Sequence, residues 1–389
     1  MTLQIKLKGS PDSAYSYHSR ILNVKCSSSK SFNTPTRAIT GYELNTKAKL
    51  GKKEYLDSEI GVVYKPLSQK MMYSILNDGN YFSNLRAQIG KSLKMMTYFN
   101  YSFAVVQPGD NVIKYLKDNR LTISFSRLQP SLQIQNDIKI DAISLPWLDM
   151  SLSQFKDYHS GNLNSFGDNY DIIPIIDPAS DHLDGILNYL VSLDGTDQLK
   201  VIGIKGRSYA THLPEYEKIW NTFGNRDVLL SVLDIERSLD NRADKSLSCL
   251  HYSEFLVGDT FSPHVPLPSP PPSSSKQASQ ISFFDKDSLC VTRIKELEKT
   301  DGWKEKISNA MNDSVTKEII FNYQEADSDS SKMEILRKLS KVHEYKTSRE
   351  EFIHSQEYIS QYDIKSYIDQ KPELKNINRS SSQSQLFQS

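Results

Sequence analysis

From about residue 98 to 262 the chain alternates short β-branched runs with amphipathic stretches, and this rhythm limits the fold more than any other feature. Tyr101–Val106 reads as a strand that stops at Gln107-Pro108-Gly109, and Val112, Ile113 and Leu116 suit a short helix. Arg120–Ser126 and Ile138–Leu145 read as further strands. Ile172–Ile176 is apolar throughout, as expected of a strand covered on both faces, although Pro174 removes one ladder donor. Leu183, Ile186, Leu187, Leu190 and Val191 then fall on one helical face. Val201–Ile204 is another apolar run. Pro214 suits a first helical position, and Tyr216, Ile219, Trp220 and Phe223 continue that helix. Val228–Ile235 is the longest strand, Leu247 and Leu250 suit a short helix, and Phe255–Val257 is read as a last short strand.

Strands separated by helices need crossover connections, hence a parallel sheet with helices over it. Val62–Tyr64 and the N-terminal region can complete a set of eight strands. No Gly-rich phosphate loop follows the first strand, which favours a closed barrel over an open dinucleotide-binding sheet. The expected architecture is an α/β, TIM-like (β/α) barrel with an N-terminal β-rich elaboration and a helical C-terminal extension. Residues 1–97 form the N-terminal part, in which Phe82, Leu85, Ile89 and Leu93 share a helical face. Residues 98–262 carry the core βα repeats. Residues 263–282 hold six prolines up to Pro272 and then a serine run, a composition that suits a flexible loop. Residues 283–375 read as helical: Leu289, Ile294 and Leu297 suit one helix, and Leu336, Leu339 and Val342 another. Ser348 with Glu351 has the spacing of a capping box. Residues 376–389 are Ser/Gln-rich and read as disordered.

Composition removes several classes. The 389 residues carry 47 basic and 47 acidic side chains, so the chain lacks the basic excess of a dedicated nucleic-acid coat. Lys47–Lys53 is a local basic run that reads as a solvated loop. No apolar stretch is long enough to cross a membrane, and the first residues lack the apolar core of a signal peptide. Cys26, Cys249 and Cys290 are too few and too scattered for a disulfide framework or a CxxC metal site, so a reducing cytoplasm and no metal are expected.

In such a barrel the C-terminal strand ends share one mouth. Here those ends are polar: Trp147 and Asp149, Asp177 and Asp181, Lys205 and Arg207, Asp234, Glu236 and Arg237, then Asp259. Gathered carboxylates raise some pKa values and serve acid–base work. They also cap helices and pair with cations, a purely structural use. Asp234 and Glu236, two apart in a strand, would share a face.

Several short segments resemble the tRNA-guanine transglycosylase family and its relatives that act on DNA. Arg20–Val24 followed by Asn33-Thr34-Pro35 is similar to the family's opening β-layer. Ala142–Asp149 is similar to the strand that ends in a base-recognising Asp, and Ile172–Asp177 to the one that carries a base-contacting Gln, here Asp177. Ile202–Gly206 resembles a Gly-Gly-Leu segment, and Val257–Ser262 a Gly-x-Asp-x-Phe-Asp segment. The chain departs from the pattern at three points, and at one of them the family's early Asp that acts on the base has no counterpart. Ser262 stands where the family has its nucleophilic Asp, and the zinc cluster of three cysteines and a histidine is replaced by the Pro/Ser stretch.

The resemblance implies base exchange on tRNA or DNA through a covalent glycosyl intermediate, with a purine-like base as second partner. Asp259 and Asp234 are then the candidate catalytic carboxylates. Trp147, Asp149, Asp177 and Gly206 would meet the base, and Arg207 and Arg237 the phosphates. No cofactor and no membrane are expected, and the oligomeric state is open, a homodimer included. Two rivals remain: an inactive barrel that binds nucleic acid or protein, and an unrelated barrel hydrolase using Asp234 and Glu236.

Overall fold

The alternation at the N-terminus becomes an antiparallel sheet of β1 (Gln4–Ala14), β2 (Tyr17–Lys25) and β3 (Ser31–Asn33). The computed structural model describes residues 3–15, 17–26, 30–49, 58–96, 99–118, 129–138, 140–196, 198–265, 278–311 and 314–379. The expected strand Arg120–Ser126, most of the Pro/Ser stretch, part of the Lys47–Lys53 run and the last ten residues lie outside them.

After the cis Thr34–Pro35 peptide the chain enters the barrel. Its strands are β4 (Thr36–Arg37), β5 (Ile39–Thr40), β6 (Ile60–Leu67), β7 (Tyr101–Pro108), β8 (Ala142–Leu145), β9 (Asp171–Ile176), β10 (Val201–Lys205) and β11 (Leu229–Ile235). A short β12 (Lys245–Leu247) leaves the barrel, and β13 (Thr260–Pro263) returns to it. The order is β4-β13-β11-β10-β9-β8-β7-β6-β5. β4 and β5 are two halves of one segment, interrupted only at Ala38. One half pairs with β13 and the other with β6, both in parallel, so this segment is the seam that closes an eight-stranded parallel barrel. The two faces of each strand feed different cores. On β7, Tyr101, Phe103 and Val105 join one apolar cluster, while Ala104 and Val106 join the other.

Several elements differ from the sequence reading. β8 is only four residues long, because Gln129–Ile138 is a helix. Pro214 lies inside the helix Tyr209–Phe223, just after a break at His212 (φ −124°, ψ 22°), and so opens its regular part. Leu247 ends β12 rather than sharing a helix with Leu250. Phe255–Val257 is a buried turn, and the strand of that region is β13, after Asp259 instead of before it. Leu289 sits in the turn of a hairpin between β14 (Ser282–Asp285) and β15 (Cys290–Arg293). Ser348 is no cap. It lies within the 31-residue helix Ser330–Ser360 and accepts or donates a bond at His251 Nε2 (3.0 Å). That helix packs on β2, β4 and β14, tying the C-terminal region to the barrel.

The N-terminal end of the barrel is locked by one buried ion pair. Arg20 on β2 donates from Nε and Nη2 to both carboxylate oxygens of Asp259 (2.9 and 2.6 Å). Its remaining donors reach the carbonyls of Phe223, Gly224, Arg226 and Val228. Asp259 also accepts from Leu230 N (2.7 Å), and both side chains are about 1% exposed. The guanidinium fork is saturated, as a buried cation requires. Asp259→Asn leaves that cation without its counter-charge. We expect a loss of about 3–5 kcal/mol in urea unfolding; an unchanged midpoint would remove the pair from this role.

Candidate functional site at the barrel mouth

The C-terminal ends of β6, β7, β10, β11 and β13 bring polar side chains to one opening. Two adjoining cavities of about 320 and 520 Å³ open there, and both are lined by Asp110, Asp234 and His264. Asp234, next to last in β11, has left-handed backbone (φ +61°). A non-glycine residue in that region is strained, and such strain concentrates at functional sites. His264, one residue past β13, meets Asp234 Oδ1 through Nδ1 (2.7 Å). The Tyr64 hydroxyl lines the same cavity and feels the negative charge of Asp234. Gln107 Nε2 donates to Tyr64 Oη in turn, while Gln107 Oε1 is buried with no partner. Gln107 and Tyr64 thus form one bonded pair and Asp234 and His264 another, side by side at the ends of β7, β6, β11 and β13.

Hydrogen bonding to Asp234 raises the His264 pKa above its ordinary value, against the smaller effect of burial. Burial pushes the Tyr64 hydroxyl up, and the negative charge of Asp234 adds to it, so Tyr64 stays protonated.

Beside these pairs lies an ionic cluster. Asp110, at the start of the helix Asp110–Asp118, pairs with Lys205 and with Arg207 Nη1 (3.1 Å). Burial pushes the Asp110 carboxyl up, but these two cations outweigh it and hold it below the usual range. Arg207 Nε donates to both oxygens of Asp177 (2.9 and 3.1 Å), and Nη2 donates to Oδ2 as well. Lys205 stands 3.9 Å from the same carboxylate. On the far side, helix Ser330–Ser360 contributes Lys341 and Glu344 to the mouth. Arg237 Nε donates to Glu344 (2.6 Å), and its other nitrogens bond Ser282 and Ser340. Burial raises the Glu344 pKa, but Arg237 and its neighbouring cations pull it down to about 2.

The expected residues divide. Asp234, Gly206, Arg207 and Arg237 line the mouth. Asp177 sits just beneath it, 2% exposed and held by Arg207. Asp259 is at the opposite end. It flanks Leu230, four residues before Asp234, which separates the two carboxylates by about 13 Å along β11. The cause is the strand position: β13 begins after Asp259, so Asp259 enters the barrel wall rather than leaving it. Trp147 is 2% exposed within the main core and offers no free face for stacking. Asp149 is exposed beyond β8 with φ +54° and lines neither cavity. Glu236 lines the wider cavity together with Asp234, but it is exposed. Ser262 is buried on β13 with its hydroxyl unpartnered. Gly206 is required by a neighbouring strand: a Cβ there would stand 2.8 Å from the carbonyl oxygens of Leu233 and Asp234.

Tyr64, Gln107, Asp110 and His264 were not singled out from sequence. Asp110 and Gln107 flank the Pro-Gly step that ends β7, and His264 directly follows β13, so correct strand ends would have pointed to them. Among the described residues, no group of three His, Cys, Asp or Glu side chains is arranged to hold a metal ion. No described helix is long and apolar enough to cross a membrane.

An NMR titration of His264 should give a pKa above the ordinary value of about 6.5, and Asp234→Asn should bring it down. By linkage, the pair's contribution to stability is full below the unfolded value and is lost as pH rises through the raised one. Equal pKa values in the two proteins would break the assignment of the Asp234–His264 bond. Compared with models of known protein families and with curated proteins, the chain matches none.

Proposed function

We propose that the mouth is a glycosyl-transfer site that acts on a nucleoside within tRNA or DNA, with Asp234 as the carboxylate that meets the sugar C1′. The observation that carries this reading is the Asp234–His264 pair: a carboxylate on strained backbone, hydrogen-bonded to an imidazole of raised pKa, in an open cavity of a closed barrel. Of the segments that resemble the transglycosylases, Ile202–Gly206 reaches this mouth through Gly206 and supports the same chemistry.

In the first step an Asp234 oxygen attacks C1′ and the C1′–N bond breaks. Its electron pair leaves on the base nitrogen, which takes a proton from the protonated His264. A glycosyl ester on Asp234 remains. In the second step an incoming base or a water attacks C1′, gives its proton to His264 and releases Asp234. Tyr64, fixed by Gln107, lines the cavity beside the carboxylate. Arg207 and Lys341, both at the rim, offer cationic contacts for phosphates. A reducing cytoplasm fits the three free thiols Cys26, Cys249 and Cys290.

A second reading draws on the ionic cluster. Asp110, Asp177, Lys205 and Arg207 neutralise one another, as in a barrel that binds without chemistry. Mass analysis of free bases released from bulk tRNA and DNA separates the two. Asp234→Asn should lower release by at least about 10³-fold, and His264→Ala by about 10²–10⁴-fold. Asp259→Asn should keep the rate per folded molecule. Binding with no base released favours the second reading, and release that survives Asp234→Asn overturns the first.

A further inference from the structure

Around the cavity of about 520 Å³ at the mouth, most cations are already matched. Arg207 is held by Asp177 and Asp110, and His264 by Asp234. Lys341, on the helix Ser330–Ser360, is different. Its amine stands 4.0 Å from Glu344 Oε2, beyond hydrogen-bond reach, and Arg237 Nε already holds that oxygen at 2.6 Å. The other carboxylate whose charge acts on Lys341 is Glu43, which is bonded to the buried Arg37 (2.5 Å). Three cations thus face two carboxylates, and each carboxylate belongs to an arginine.

The Lys341 side chain is 38% exposed and lines the cavity together with Asp234 and His264, so a ligand there can reach its amine. An ammonium group has three donors. Among the described residues, none of the three is hydrogen-bonded. The Arg237 charge acts most strongly on Lys341 and lowers its pKa. A place that repels a proton in this way favours an anion.

We propose that the mouth takes a nucleoside monophosphate as its smallest complete substrate, with the single phosphate on Lys341 and the sugar at Asp234. This rests on the reading of the mouth as a glycosyl-transfer site, which makes the anion the phosphate next to the reacting sugar. Lysine serves phosphates as a compact point charge, without the fork geometry that arginine brings. The cavity volume lies in the range of small-molecule sites. A strand with many phosphates needs a cation for each. The unmatched amine of Lys341 serves one.

The probes are adenosine and guanosine with their 5′- and 3′-monophosphates, titrated into the full chain by calorimetry and assayed for released base. A monophosphate should bind about 10–100-fold tighter than its nucleoside, the worth of a hydrogen bond to a charged group. Lys341→Met should remove that advantage, Lys341→Arg should retain it, and added salt should erode it. Where base is released, the preference should lie in KM and not in kcat. Equal affinity for nucleoside and monophosphate overturns the proposal, as does an advantage that survives Lys341→Met. Base released from tRNA or DNA alongside either of those results refutes the phosphate site and leaves the glycosyl-transfer reading standing. An advantage that depends on Lys341, with no base released from any substrate, supports the phosphate site and refutes that reading.

Discussion

The structure depends on a buried arginine. Arg20 leaves the N-terminal sheet, enters the base of the barrel and satisfies every one of its donors on Asp259 and four carbonyls. Removing two charges from water costs several kcal/mol each, and only complete pairing offsets that. The same contact fixes the starts of β11 and β13 and the turn that follows the helix Tyr209–Phe223. It therefore makes β1–β3 part of the barrel instead of an appendage. Once the base is locked, the seam segment Thr36–Thr40 holds β13 on one side and β6 on the other.

The two ends of the barrel then divide the work, as they do in barrels of this kind. At the base, ionic groups are sealed and saturated. At the mouth they are partly open, and one of them, Asp234, sits on left-handed backbone and is bonded by His264. The C-terminal helix Ser330–Ser360 runs from this end to a separate cavity beside the β14–β15 hairpin. Glu344 and Lys341 face the mouth, while His343 and Thr347 line the other cavity. About two turns of one helix thus serve both.

The barrel was legible in the sequence because its strongest signals are local. β9, β10 and β11 are apolar runs, and the helix Leu183–Ser192 shows its buried stripe directly. The mouth was only half legible, for a physical reason. Phe255–Val257 is as apolar as a strand, yet it is buried as a turn, and the true strand Thr260–Pro263 is short and half polar. Shifting that strand by a few residues sends Asp259 to the base and brings His264 to the mouth. Tyr64 and Gln107 read as ordinary strand residues, because their role comes from Asp234, far away in the chain. The hairpin β14–β15 was hidden by Leu289, whose spacing to Ile294 mimics a helix although its backbone is left-handed (φ +57°).

The seam has a consequence for biosynthesis. Arg20 and its carboxylate are separated by 239 positions, and the strand that meets β13 is made before every other strand of the barrel. Each intermediate therefore carries a cationic side chain and an unpaired strand rim until those 239 positions have been added. Contacts so remote in sequence slow folding and leave nascent molecules open to aggregation. Vectorial synthesis cannot shorten that wait, because the last stave of the cylinder is also the one that secures the first.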